Sequence, residues 1–350
     1  MCAMDILDSA LEVPAAWTAR EMADSSEWIL SLNDRDIDEL DSALECVKSR
    51  GLAAPSFTRA DFPLDHFAAT LADALFEVEQ GRGFVLIRGV PVERYSAEDI
   101  ETILWGIGAY LGEAAGQNRM GDVIGHVTDI GRNWTKDNHD RGYQTTSFLP
   151  FHCDKTDAVA LLCLHPSKSG GSSCIASSVA IHNEILARRP DLLELLYRPF
   201  YVDLRGEEME GEKPYNVQPV FTWHKQRLFA RYGRKYIKTG QRFDDAPRLS
   251  PDDVAAIDMV HDLAASDEFR LDMEFQRGDI QILNNHAILH SRTDYEDWPE
   301  PQRKRHLLRL LLFTPAFADM PEHYRTIYAT ARDWRDNPRL AAAASPIAAE

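Results

Sequence analysis

Arg305-His306-Leu307-Leu308-Arg309-Leu310-Leu311-Leu312-Phe313 is a near-continuous apolar run, and a strand without polar alternation has to be covered on both faces. A chain built around it needs further layers on either side of a sheet. Two arginines interrupt the run four residues apart, which places them on one face of a strand. Arginine is almost never buried alone, so each implies an anion. That anion is either an internal carboxylate or a bound one, for which the guanidinium fork is suited.

Upstream lies Pro150-Phe151-His152-Cys153-Asp154. On a strand or at its end, His152 and Asp154 leave the same face with Cα atoms roughly 6–7 Å apart, a separation that suits two ligands on one ion. The rival His182-Asn183-Glu184 falls in a segment patterned as a helix by Ile181, Ile185 and Leu186. Residues two apart do not share a helix face, so this triplet reads as a polar helix surface.

Further on, Gly278-Asp279 reads as a turn, and the run from Ile280 through Asn284-Asn285 and Ala287-Ile288-Leu289 to His290 reads as a strand. His286 and His290 would share a helix face, but on a strand they stand about 13 Å apart and cannot bind one metal together. His290 is therefore the expected ligand and His286 a satisfied polar neighbour. Two imidazoles and one carboxylate on one face of a metal leave positions open for other ligands, the set associated with non-haem Fe(II) oxygenases.

With these pieces in order, the chain resembles the TauD/TfdA family of Fe(II)- and 2-oxoglutarate-dependent dioxygenases, within the clavaminate synthase-like superfamily. The shared pattern is His152-Cys153-Asp154, Gly170-Gly171-Ser172-Ser173, His290 and then Arg305. Cys153 and Ser173 each stand where the family commonly has threonine. The resemblance implies that His152, Asp154 and His290 bind Fe(II). It also implies that 2-oxoglutarate chelates the iron and sets its far carboxylate against Arg305, with help from the Ser173 hydroxyl. Arg309 would meet the near carboxylate or an acidic group of the substrate. O2 would be the second co-substrate, and oxidation of a C–H bond would accompany release of succinate and CO2. Related halogenases carry a small residue where this chain has Asp154, so hydroxylation or desaturation is expected rather than chlorination.

The net charge of −18 and pI of about 5.1 argue against nucleic-acid or anionic-membrane partners. A small-molecule substrate, anionic or not, is expected, and a homo-oligomer is left open. Five cysteines with no C-x-x-C pair suit free thiols in a reducing compartment. Asp5, Asp8 and Glu12 stand where a secretory signal needs a basic region, and no long apolar span occurs. A cytoplasmic, soluble protein is expected.

Residues 1–62 read as an N-terminal extension, 63–325 as the dioxygenase domain and 326–350 as a C-terminal tail, whose part after Trp334 is a loosely attached helix or a disordered segment. Asp65 opens a helix carrying Phe67, Leu71, Leu75 and Val78, and Phe84–Arg88 reads as a strand. Ser96 with Asp99 opens a second helix that stops at Gly112. Ala158–Leu164 reads as a strand, Val179–Tyr197 as a helix broken at Pro190, Leu228–Tyr232 as a strand, and Ser250-Pro251 as a helix start.

The expected fold is mainly β with packed helices, an α+β double-stranded β-helix or jelly roll with helices on one sheet. A zinc-type metal hydrolase and a same-fold binding protein without turnover are the alternatives. The upstream residues Asn118, His126, Arg141 and Tyr143 could line a pocket or lie on the surface.

Overall fold

The computed structural model describes residues 6–118, 120–131, 141–208 and 211–336. Eleven strands make its two main sheets: β1 (Ile29–Ser31), β2 (Phe84–Arg88), β3 (Glu113–Ala114), β4 (Ile124–Thr128), β5 (Leu149–His152), β6 (Ala158–His165), β7 (Ser173–Ser177), β8 (Leu271–Met273), β9 (Ile280–Asn284), β10 (Ile288–Arg292) and β11 (His306–Phe313). The larger sheet runs β1-β2-β9-β6-β11-β3, with β4 also paired to β11, and the smaller runs β8-β7-β10-β5. Every pairing is antiparallel except β1 with β2.

The apolar run occupies the interior of the larger sheet as β11, where its alternation separates two cores. Leu308, Leu310 and Leu312 face a cluster shared with helices Asp34–Ser49, His66–Glu79 and Ala97–Leu111, while Leu311 and Phe313 face the space between the sheets. Arg305 and Arg309 belong to the inward set. The smaller sheet turns Cys174, Ala176 and Leu289 outward onto a second helical layer formed by Ser178–Arg188, Pro190–Leu196 and Pro251–Ala264. Helices thus cover both sheets rather than one, because the outer face of the smaller sheet is as apolar as that of the larger.

The local signals near the site form the expected elements. The Ser96 side chain accepts from the Asp99 N–H at the start of its helix, Pro190 begins a new helix, and Ser250 and Asp253 make a reciprocal capping box. Asp65 precedes its helix without a side-chain capping bond. The stretch expected as one strand from Ile280 to His290 divides in two. Asn284 accepts from the His286 N–H at 2.8 Å and donates to the Val78 carbonyl at 2.9 Å. A polar turn therefore carries the chain from β9 in one sheet to β10 in the other.

Near the C-terminus, helix Glu322–Asp336 buries Tyr324, Ile327, Tyr328 and Ala331 against the core between the sheets. The proline- and alanine-containing end of the expected tail, from 337 onward, lies outside the described residues. Among the described residues no helix is long and apolar enough to cross a membrane.

Candidate metal centre and anion pocket

β10 and β5 are hydrogen-bonded neighbours whose register sets His290 directly opposite His152. β5 ends there, and the backbone beyond it is pinned from two sides. The Asp154 N–H donates to Asn285 Oδ1 at 3.2 Å, and Arg231 donates to the Asp154 carbonyl. Cross-strand pairing and the anchored turn thus bring one donor atom each from His152, Asp154 and His290 within 4.8 Å of one another. His290 Nε2 lies 3.9 Å from Asp154 Oδ2.

His152 Nδ1 is 2.9 Å from the Pro150 carbonyl. A carbonyl only accepts, so Nδ1 carries the proton and Nε2 keeps its lone pair for a metal. Burial and the neighbouring His152 push His290 down to about 3, so its imidazole is neutral at physiological pH. Burial alone would raise the Asp154 carboxyl, yet Arg309, His290 and His152 hold it below the usual range. Two imidazole nitrogens and a carboxylate oxygen are donors that a divalent metal takes, and the set suits Fe(II).

The other histidine candidates each commit Nε2 to a partner away from the triad. His286 donates from Nε2 to Asp157 Oδ1 at 2.8 Å in a buried network completed by Tyr328. His182 bonds the Tyr197 hydroxyl at 2.8 Å. Contrary to the surface expected of its helix, it is fully buried, with its ring edge-on to those of Tyr197 and Phe221.

The triad lies in a cavity of about 230 Å³ between the sheets, and Ser173, Arg292, Arg305 and Arg309 line it as well. Arg309 directs Nη1 to within 3.5 Å of Asp154 Oδ2 while its Nε donates to Gln117 Oε1 at 2.9 Å. Arg305 is only 3% exposed and donates to the Gly171 carbonyl at 3.3 Å. A Cβ on Gly171 would come within 3.0 Å of Arg305 Nε, and the residue has φ +73°. The Gly170-Gly171 pair therefore supplies both the turn and the room for this arginine. The Ser173 hydroxyl donates to Gln281 Oε1 at 2.9 Å.

Arg292 was not singled out in the sequence, although its spacing from His290 puts both side chains on one face of β10. Gln117 and Glu207 were missed also, and neither carries a local signal. Glu207 reaches the cavity through ion pairs with Arg141 at 2.6 Å and with Lys155. Of the upstream candidates, Arg141 and Tyr143 line the cavity. Asn118 instead closes a turn with Asp122, and His126 is an exposed partner of His306.

A two-sheet barrel enclosing a facial His/Asp/His group and inward guanidinium groups is the architecture of a non-haem iron oxygenase. The family described as "Taurine catabolism dioxygenase TauD, TfdA family" matches residues 48–311, and the chain belongs to it. FR-33289 synthase from Streptomyces rubellomurinus is 31% identical over 315 residues, covering 88% of this chain and 91% of that protein. Taurine hydroxylase-like protein SAT17 from Stachybotrys chartarum is 28% identical, covering 85% of this chain and 78% of its own.

Among solved structures, asparagine oxygenase in complex with Fe(II), 3-hydroxyasparagine and succinate superposes with a TM-score of 0.64 at 14% identity, covering 85% of this chain and 98% of that one. The non-haem iron oxygenase OrfP with Fe and alpha-ketoglutaric acid gives 0.58 at 16%, covering 81% and 93%. These likenesses establish the jelly-roll fold. The protein is an oxidoreductase that oxidises a small molecule using Fe(II), 2-oxoglutarate and O2.

Proposed function

We propose that His152, Asp154 and His290 are the iron ligands, that Arg305 takes the far carboxylate of 2-oxoglutarate, and that Arg309 serves the near carboxylate. The carrying observation is the convergence of the three donors within 4.8 Å at one end of a cavity that also receives buried guanidinium groups. Bound iron, 2-oxoglutarate and O2 together supply the oxidising power for the C–H bond, with succinate and CO2 released. The protein's residues perform the placement. The Pro150 carbonyl fixes the His152 tautomer, Arg309 keeps Asp154 ionised, and Ser173 lends its hydroxyl by turning from Gln281. Asp154 would take the place on the metal that a halide needs, so the expected product is hydroxylated or desaturated.

The substrate on this reading is anionic. Beyond the metal triad and Arg292, Arg305 and Arg309, the cavity wall carries Arg141, Lys155, Arg234 and Lys235 against Asp203 and Glu207. Burial and Arg205 push Lys235 down to about 8, a penalty that a nearby anion offsets. In a chain of net charge −18, such a wall concentrates anions locally. Free Cys46, Cys153, Cys163 and Cys174 suit the reducing cytoplasm.

Anaerobic titration with Fe(II) and 2-oxoglutarate, followed by oxygen and a panel of small carboxylates, phosphonates and amines, tests this reading. Succinate released in proportion to an oxidised anionic product is the expected result. Turnover without 2-oxoglutarate, or a preference confined to cationic compounds, would overturn it.

A further inference from the structure

Arg292 and Arg305 form an arrangement that the single-arginine assignment leaves unexplained. Arg292 is 5% exposed and Arg305 3%. One nitrogen of Arg292, Nη2, donates to the Thr145 and Ser147 carbonyls at 2.8 and 2.5 Å. Its Nε and Nη1, and Nη1 of Arg305, are buried with no hydrogen-bond partner among the described residues. The two guanidinium carbons lie 4.8 and 5.2 Å from the centroid of one ring, Tyr295. Ser173 stands opposite Arg292 in the β7–β10 register.

Two cations placed this close repel each other, and a buried charge without a counter-ion costs several kcal/mol per group. Neither side chain has an ion pair with a carboxylate among the described residues. The strand that delivers the metal ligand His290 delivers Arg292 to the same cavity two residues later. An anion with two oxygens answers both forks at once, one oxygen to each.

We infer that the far carboxylate of 2-oxoglutarate is held by two arginines, Arg292 and Arg305, across the Tyr295 ring. The inference rests on the proposed use of this pocket for 2-oxoglutarate and adds Arg292 as a co-substrate-binding residue. A second guanidinium makes the site selective for keto acids that carry a distal carboxylate, because a ligand lacking it would leave both cations buried and unanswered.

The test is anaerobic titration of the Fe(II)-loaded protein, read by the metal-to-ligand charge-transfer band, with 2-oxoglutarate and with 2-oxopentanoate. The latter has the same keto-acid head and a methyl in place of the far carboxylate. Arg292→Gln is expected to weaken 2-oxoglutarate by about tenfold or more while changing 2-oxopentanoate by less than about twofold. Arg292→Lys, which keeps the charge without the fork, should fall between, and it serves for the same comparison if the glutamine variant does not fold. An equal loss for both ligands would make Arg292 a brace for the Thr145–Ser147 loop, and no loss for either would remove it from the pocket; both results overturn the inference. Failure of the unmodified protein to bind 2-oxoglutarate would instead overturn the reading on which it rests.

Discussion

Arg309 Nη1 lies 3.5 Å from Asp154 Oδ2, so one inward arginine of β11 reaches the carboxylate proposed as a metal ligand, whereas Arg305 sits four residues away beside Gly171. The two arginines should therefore act on opposite ends of the co-substrate. At saturating metal, Arg309→Gln is expected to weaken 2-oxoglutarate and 2-oxopentanoate by similar factors. Arg305→Gln should weaken 2-oxoglutarate alone, by roughly 2–5 kcal/mol for a lost buried charge pair. Binding constants for the four combinations decide the matter, and the reverse pattern would exchange the two roles.

Metal affinity should separate the histidines. His152→Ala, Asp154→Ala and His290→Ala each remove one of the three converging donors and are expected to abolish tight Fe(II) binding, as measured by equilibrium dialysis. His286→Ala breaks the buried bond to Asp157. It should cost about 1–3 kcal/mol of stability while the folded fraction still binds iron. Retained affinity in the His290 variant with loss in the His286 variant would reverse the ligand assignment.

Acid should destabilise the fold before its carboxylates are neutralised. Burial pushes His182 from 6.5 down to about 4, so between those values the unfolded chain takes up a proton that the folded chain refuses. Stability is full above about pH 6.5 and falls as pH drops toward 4, with a slope of up to about 1.4 kcal/mol per pH unit from this one group. His286 and His323, also pushed down to about 4, add to the loss. His182→Gln keeps a donor for Tyr197 and removes the titration. Denaturation curves across this range should show its slope reduced by one proton, and an unchanged slope would refute the assignment.

Product analysis in chloride buffer should give an oxidised product without chlorine if Asp154 is the third metal donor, as its position beside His152 and His290 proposes. Mass spectra carrying a chlorine isotope pattern would contradict that placement.

Pocket charge should govern substrate affinity. Lys155 and Arg141 both pair with Glu207, so Glu207→Gln increases the net positive charge of the wall. An anionic substrate should then show a lower KM, falling further at low ionic strength, with 2-oxoglutarate affinity little changed. A higher KM for every anion tested would point to Glu207 as a direct substrate contact.

Much of this was legible in the residues. The near-continuous apolar run of β11, the capped helices around Ser96 and Ser250, and the two-residue spacing of His152 and Asp154 are short-range patterns, and short-range chemistry is enough to form them. Other features depended on pairing between distant segments. Ile280 to His290 read as one strand because strand-forming residues flank Asn284-Asn285 on both sides, yet Asn284 bonds to Val78 and turns the chain into the second sheet. The burial of His182 depended on distant segments that bring the Tyr197 and Phe221 rings against it.

By itself the sequence determined which residues are candidate ligands, their order along the chain, and the need of buried arginines for anions. Only the tertiary structure set His290 opposite His152 and brought Arg292 and Arg305 to one tyrosine ring. It also joined Glu207 to Arg141 and Lys155. The physical reason is that spacing along a strand decides which face a side chain takes, whereas the neighbour it meets there is decided by register and by the packing of one sheet on another.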